Sequence, residues 1–236
     1  MYLINKIKSL SIWIFLIPFI ALNSCLFIVI VFRETVIGGI KILPEGVGIG
    51  PTFPYFDGGT SISRTARYFP LYLIFKPMMF LTSYLLVKYW LMNKEIISSI
   101  DPNNKKINYF TFFGIFSAVC LTLHSIFLGI KLDYDFYKVF RRAILLCFII
   151  FELTAQAYLV ICLYKIKNQI ADKINEIYLK LKFLLVSILF ITAIVSIPIV
   201  SMPGNKFFKH ALEWDYFLGV IIFYLLTFFL WKKTNS

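Results

Sequence analysis

The run Ser9–Phe32, SLSIWIFLIPFIALNSCLFIVIVF, decides what kind of protein this is: 24 residues without a single charge. A helix rising 1.5 Å per residue crosses a hydrocarbon core about 30 Å thick in roughly 20 residues. Outward from this run, five more stretches approach that length. They are Tyr68–Val87 (20 residues, one charge), Ile107–Ile130 (24), Ala143–Tyr164 (22, one charge), Phe183–Asn205 (23) and Tyr216–Trp231 (16). The last is lengthened by Ala211 and Leu212 at its start. In lipid the backbone must satisfy its own hydrogen bonds, and a barrel would show short alternating segments instead. The spacing predicts an all-α polytopic membrane protein, one domain of six transmembrane helices at about 9–32, 68–90, 107–130, 143–164, 183–205 and 211–231. A long Gly/Pro-rich first outer loop, 33–67, and an amphipathic cytoplasmic connector, 165–182, complete it.

Composition agrees. The 236 residues are 60% hydrophobic and 15% charged, and mean hydropathy is +0.81. Soluble domains carry about 45–50% apolar and about 25% charged residues, so this chain lacks the polar surface to cover a soluble globule. The net charge of +12 would suggest nucleic acid in a soluble protein. Here its distribution follows topology and excludes that partner. With both termini cytoplasmic, the inner segments carry 13 basic residues, all lysine, against 10 in the outer loops. The first span exceeds a signal-peptide core, and no small-residue cleavage site follows it. Leu22-Asn23-Ser24-Cys25 faintly resembles a lipoprotein box, but the apolar run continues to Phe32. Cys25, Cys120, Cys147 and Cys162 all lie within spans and lack metal-ligand spacing. They read as packing residues, and neither a metal nor a cofactor is expected.

Ile166, Ile170, Ile174, Ile177 and Leu181 form one helical stripe in the connector, among Lys165, Lys167, Lys173, Lys180 and Lys182. Either this is an interfacial helix on anionic headgroups, or spans four and five extend as helices past the membrane.

The first outer loop has two parts. Seven of the chain's eleven glycines lie between Gly38 and Gly59, with Pro44, Pro51 and Pro54 among them, which marks turns. Gly46-x-Gly48-x-Gly50 has no P-loop lysine and no βαβ unit. Beyond it, Phe53–Pro70 gathers Asp57, Ser61, Ser63, Arg64 and Arg67 beside aromatics. The planar arginine fork suits the two oxygens of a lipid phosphate. The alternative is structural: Arg64 and Arg67 cap the start of the helix or pair with Asp57, anchoring the span.

These residues resemble a known family. Ser61-Ile62-Ser63, followed by Pro70-Leu71-Tyr72-Leu73-Ile74-Phe75-Lys76, is similar to the segment leading into span two of the Frag/DRAM/Sfk family. That family includes the post-GPI-attachment lipid-remodelling factor, the damage-regulated autophagy modulators and the amino-terminal part of the CWH-type fungal cell-wall protein. Ala211-Leu212-Glu213-Trp214, before the last span, looks like the family's small/apolar-Glu-aromatic start to a Phe-rich final helix. The resemblance covers the whole chain. It implies six spans and a role in lipid remodelling or membrane organisation, with Glu213 and Trp214 as motif residues. The chain departs from the family before span four, where Asp133 and Asp135 stand in place of a frequent histidine.

Polar groups inside the spans are further pointers, because an intramembrane charge costs at least about 2.5–3.5 kcal/mol. Asn23, Lys76, His124, Glu152 and Ser196 fall at one depth, roughly 9–14 Å below the outer surface at 1.5 Å per residue. Gln156 shares a face with Glu152 at i, i+4. The expectation is a cavity opening toward the outer loop, with Lys76 and Glu152 paired. Otherwise each group is satisfied separately. His124, Glu152 and Ser61 or Ser63 are residue types that acyl transfer uses, but no nucleophile-elbow or metal-ligand spacing supports them. Catalysis therefore enters only through the resemblance.

The leading functional reading is an integral membrane protein that binds or handles lipid from the outer leaflet, its partners being membrane lipids. The alternative is a non-enzymatic membrane scaffold whose outer loop docks a membrane-protein partner. A solute transporter is disfavoured, because Pro18, Pro77 and Pro198 form no matched pair of broken spans.

Overall fold

A computed structural model describes residues 2–32, 52–130, 134–202 and 204–232. It is all-helical, and six helices are long and apolar enough to cross a membrane. These are α1 (Tyr2–Val31), α4 (Leu71–Ile100), α5 (Lys106–Phe127), α6 (Asp135–Ile166), α7 (Glu176–Ser201) and α8 (Lys206–Leu230). Two short helices, α2 (Pro54–Asp57) and α3 (Ile62–Ala66), precede α4. The glycine-rich run up to Pro51, and Asp133, lie outside the described residues.

The helices overrun the apolar stretches that announced them. α1 starts at Tyr2, not Ser9, because Ile4 and Ile7 bury against the bundle. Lys8 Nζ then reaches the carbonyl of Trp231 at 2.7 Å, so the two ends of the chain share one end of the bundle. α4 likewise runs on to Ile100 through a segment that contains no Gly or Pro to stop it.

Successive helices pack as neighbours, and α1 closes the circuit against α8. α7 lies on α6 and α8 and is the least buried of the six, with Ile188, Ile191 and Ile194 exposed. In lipid such an apolar face needs no protein cover. The core is aromatic at its centre: Tyr89, Trp90, Phe110, Phe223 and Tyr224 are buried, and the Tyr89 and Tyr224 rings meet edge-on at 4.9 Å.

The 165–182 connector is not one amphipathic helix. α6 ends at Ile166, one 3-10 turn follows (Lys167–Ile170), and Asn175 caps α7 by accepting from the Ile177 amide. Asn175 N also donates to Leu230 O at 2.8 Å, and Lys232 N to Lys173 O at 2.9 Å. This stitching to the end of α8 breaks the stripe. Ile166, Ile170 and Ile174 turn inward, whereas Ile177 and Leu181 face out.

At the other end of the bundle, Asp57 organises the segment before α4. It accepts from Thr52 Oγ1 at 2.7 Å, Phe53 N at 2.8 Å and Gly59 N at 2.8 Å. Burial alone would push its carboxyl up, but these donors hold it below the ordinary aspartate value. The Tyr55 ring lies tilted against Trp214 at 5.1 Å and its hydroxyl donates to Asn23 Oδ1 at 3.2 Å, and burial pushes its phenol up. Trp214 Nε1 donates to Thr60 O at 2.9 Å, and His210 Nδ1 meets Gly58 O at 2.9 Å. The segment is thereby clamped across the ends of α1 and α8.

Candidate functional site

Beneath this clamped segment lies a cavity of about 130 Å³. α1, α4, α5, α6 and α8 wall it, and Ile62 of α3 lies at its outer end. The walls are almost wholly apolar, with Leu22, Phe75, Met79, Leu121, Phe148 and Phe217 among them. Polar side chains are few: Thr82, His124, Glu152, Glu213, Tyr216 and Tyr224. Among these, the Tyr216 hydroxyl and His124 Nδ1 are buried without a hydrogen-bond partner.

Glu152 is the deep acid. Ser117 Oγ lies 2.5 Å from Oε2, Gln156 Nε2 donates to Oε1 at 3.0 Å, and the Tyr224 hydroxyl donates to the same oxygen. Gln156 Nε2 also reaches Val220 O at 3.3 Å. Ser117 stands at the centre of α5, so this network is mid-span, close to the depth of about 14 Å that residue counting gives Glu152. α6 itself starts at Asp135, eight residues before the apolar stretch begins at Ala143.

Glu213 is the shallow acid, on the second turn of α8. Its carboxylate faces the backbone amides of Ile62 and Ser63, with Arg64 and Arg67 near enough to act on it. Together with the Trp214–Thr60 bond, this gives the Ala211–Trp214 motif a physical role: it fastens the 52–67 segment over the cavity.

The expected Lys76–Glu152 pair does not form. Lys76 reaches the Ile126 carbonyl at 3.2 Å, near the C-terminal end of α5, where the helix dipole favours a cation. It also lies 5.6 Å from the Tyr72 ring, whereas Glu152 is enclosed by α5, α6 and α8. Asn23 donates to Phe19 O at 2.8 Å, and Ser196 bonds Ala193 O at 3.1 Å. Neither lines the cavity; of the expected polar layer, only His124 and Glu152 do, with Gln156 behind them.

The outer-loop residues divide similarly. Among the described residues Asp57 pairs with no arginine, and it holds its own turn. Ser61 caps α3 by accepting from Arg64 N at 3.4 Å, and Ser63 lies 3.4 Å from Ser61. Arg67 Nε donates to Ser63 O at 3.2 Å, and Arg64 Nη1 is buried without a partner. No hydrogen bond joins His124, Glu152 and the two serines into a relay. Among the described residues, no group of three or more His, Cys, Asp or Glu comes together.

Lys182, counted in the sequence as a surface cation, is fully buried. Its Nζ donates to Thr227 Oγ1 at 2.6 Å and sits 3.7 Å from the Phe223 ring centre. Tyr224, Ser117, Arg141, Tyr89 and Thr227 were also missed. Tyrosine, serine and threonine are common in apolar helices, and only the i, i+4 spacing of Glu152 and Gln156 hinted at a polar cluster.

Six long apolar helices, five of them around a mostly apolar cavity, define a multi-pass membrane protein. No family model, curated protein or solved structure matches the chain.

Proposed function

We propose that the protein takes up a membrane lipid in this cavity, drawn from the leaflet on the side of the 52–70 segment. The observation that carries the reading is the cavity itself: apolar on five helices, capped by Ile62 and Glu213, and floored by the Glu152 network. Its apolar walls suit an acyl chain, and its few polar groups suit orientation. In the orientation expected from the lysine distribution, the termini are cytoplasmic and the cavity opens toward the outer leaflet. The Frag/DRAM/Sfk resemblance adds that the bound lipid is handled for remodelling or membrane organisation.

The test is occupancy. Lipid that co-purifies with the protein in mild detergent is counted by native mass spectrometry for wild type and for Leu121→Trp, which fills the cavity. Bound lipid in wild type and its loss in the folded variant support the reading. Equal lipid in both overturns it.

A second reading keeps the same fold but makes the outer segment a docking site for a membrane-protein partner. Phe56 is 85% exposed and stacks on Phe53 at 5.4 Å, leaving two aromatic faces uncovered. A partner lost on Phe53→Ser/Phe56→Ser, with lipid occupancy unchanged, favours this reading.

A further inference from the structure

Three arginines stand on the segments at the outer end of the cavity and make a cationic rim near it. Arg64 and Arg67 come from α3 and the turn after it, and Arg141 from the second turn of α6. Backbone geometry brings two of these segments together. Gly129, in the turn after α5, has φ +87°, and a Cβ on it would stand 2.8 Å from the Arg67 carbonyl oxygen. This close approach, open only to glycine, seats the Arg67 turn against the α5–α6 connection. Arg67 and Arg141 then lie close enough to feel each other's charge, as do Arg141 and His124.

The cations are poorly matched by what surrounds them. Glu213 is the carboxylate near Arg64 and Arg67, and it already faces the Ile62 and Ser63 amides. Asp57 is committed to Thr52, Phe53 and Gly59. Among the described residues, none of the three arginines forms a salt bridge. Three buried nitrogens here have no hydrogen-bond partner: Arg64 Nη1, Arg141 Nε and His124 Nδ1. Buried donors without acceptors are rare in folded proteins and call for an explanation. The arginines do not line the cavity themselves, but Ile62, His124 and Glu213, which do, are their neighbours.

We propose that this rim holds a phosphate headgroup, making the ligand an anionic phospholipid whose chains enter the cavity. The inference rests on the lipid reading above and names its substrate class. Phosphate oxygens supply the missing acceptors, and two or three guanidinium forks match their geometry better than ammonium groups do. The apolar walls then take the acyl part, as a free anion would not require.

The experiment measures equilibrium binding to the full chain in neutral detergent micelles. The probes are a short-chain phosphatidic acid, the diacylglycerol with the same chains, and inorganic phosphate. Wild type is expected to bind phosphatidic acid about tenfold or more tightly than diacylglycerol, since one charge-assisted contact is worth that much. Inorganic phosphate should compete only weakly. Arg67→Gln and Arg141→Gln should erase most of the preference while leaving diacylglycerol binding in place, and Arg141→Lys should restore part of it. Equal binding of the two lipids by wild type overturns the headgroup assignment and leaves the lipid reading intact. Inorganic phosphate binding as tightly as phosphatidic acid overturns the lipid source. If no lipid binds and Leu121→Trp changes nothing, the underlying cavity reading fails instead. The wild-type comparison decides even if a variant does not fold.

Discussion

Glu152 on α6 and Tyr224 on α8 are bonded to one another at the floor of the cavity, and Ser117 of α5 lies 2.5 Å from the other carboxyl oxygen. Ser117 has a single proton and two acceptors, Glu152 and the Gly114 carbonyl at 2.8 Å. The set closes when Glu152 carries a proton and donates it to Ser117, leaving the serine hydroxyl for Gly114.

That closure separates two substitutions. Glu152→Gln can donate to Ser117 and accept from Tyr224, so it should cost less than about 1.5 kcal/mol. Glu152→Ala strands the buried Tyr224 and Gln156 groups and opens a void, and should cost about 2–4 kcal/mol. Thermal unfolding in detergent reads both; equal losses would show that the network does not hold the helices together.

Lys182 places its amine in a fully buried site with one hydroxyl and one ring as company. Methionine has similar length and needs no solvation, so Lys182→Met should raise stability by about 1–2 kcal/mol. Thr227→Val removes the acceptor and should lower it by about 1–3 kcal/mol. Denaturation midpoints moving the other way would point to a partner for Lys182 beyond Thr227.

Lys76 and Glu152 should be energetically independent. A double-mutant cycle with Lys76→Met and Glu152→Gln is expected to close within about 0.5 kcal/mol, the figure for residues without shared partners. A coupling of several times that size would restore the pair that the geometry denies.

Asp57 sets an acid limit on the outer segment. Its carboxyl is held below the ordinary value of 3.8, so its contribution is complete above that value and is lost as pH falls through the folded-state value. The Trp214 environment, read by fluorescence in a chain with its other tryptophans replaced by Phe, should change below pH 3.8. In Asp57→Asn that acid transition should be missing.

Gly58 has φ +60°, and a Cβ there would fall 1.8 Å from the Phe207 carbonyl oxygen. Left-handed backbone alone costs a side chain about 1–2 kcal/mol. Gly58→Ala adds a clash with rigid backbone and should cost more, lifting the 52–67 segment from α8. Faster proteolysis at this segment, with the six long helices still formed by circular dichroism, is the expected result.

The six helices were legible because the membrane asks one local question of a sequence: whether about 20 apolar residues run together. Ser9–Phe32 answers it without reference to any other residue. The ends of the helices were less legible. Tyr2–Lys8 and Asp135–Arg142 are helical because of neighbours such as Trp231 and because nothing in them breaks a helix. Of the candidate site, the sequence pointed to Glu152, Gln156, His124 and the Arg64–Arg67 pair as polar groups out of place. It misjudged the company they keep, because depth along a helix does not determine which way a side chain faces.

By itself, then, the sequence determined the class of protein and the number of spans, an even number that puts both ends of the bundle's path on one side, all consequences of hydropathy and chain direction. Tertiary structure decided which polar groups share a space. Lys76 turned to a helix end, Lys182 turned inward, and Tyr224 and Ser117 closed around Glu152 because a bundle assigns partners by the rotation of each helix about its axis. Most faces of these helices are apolar enough to suit lipid or core alike, so their hydrophobic pattern carries almost no record of that rotation.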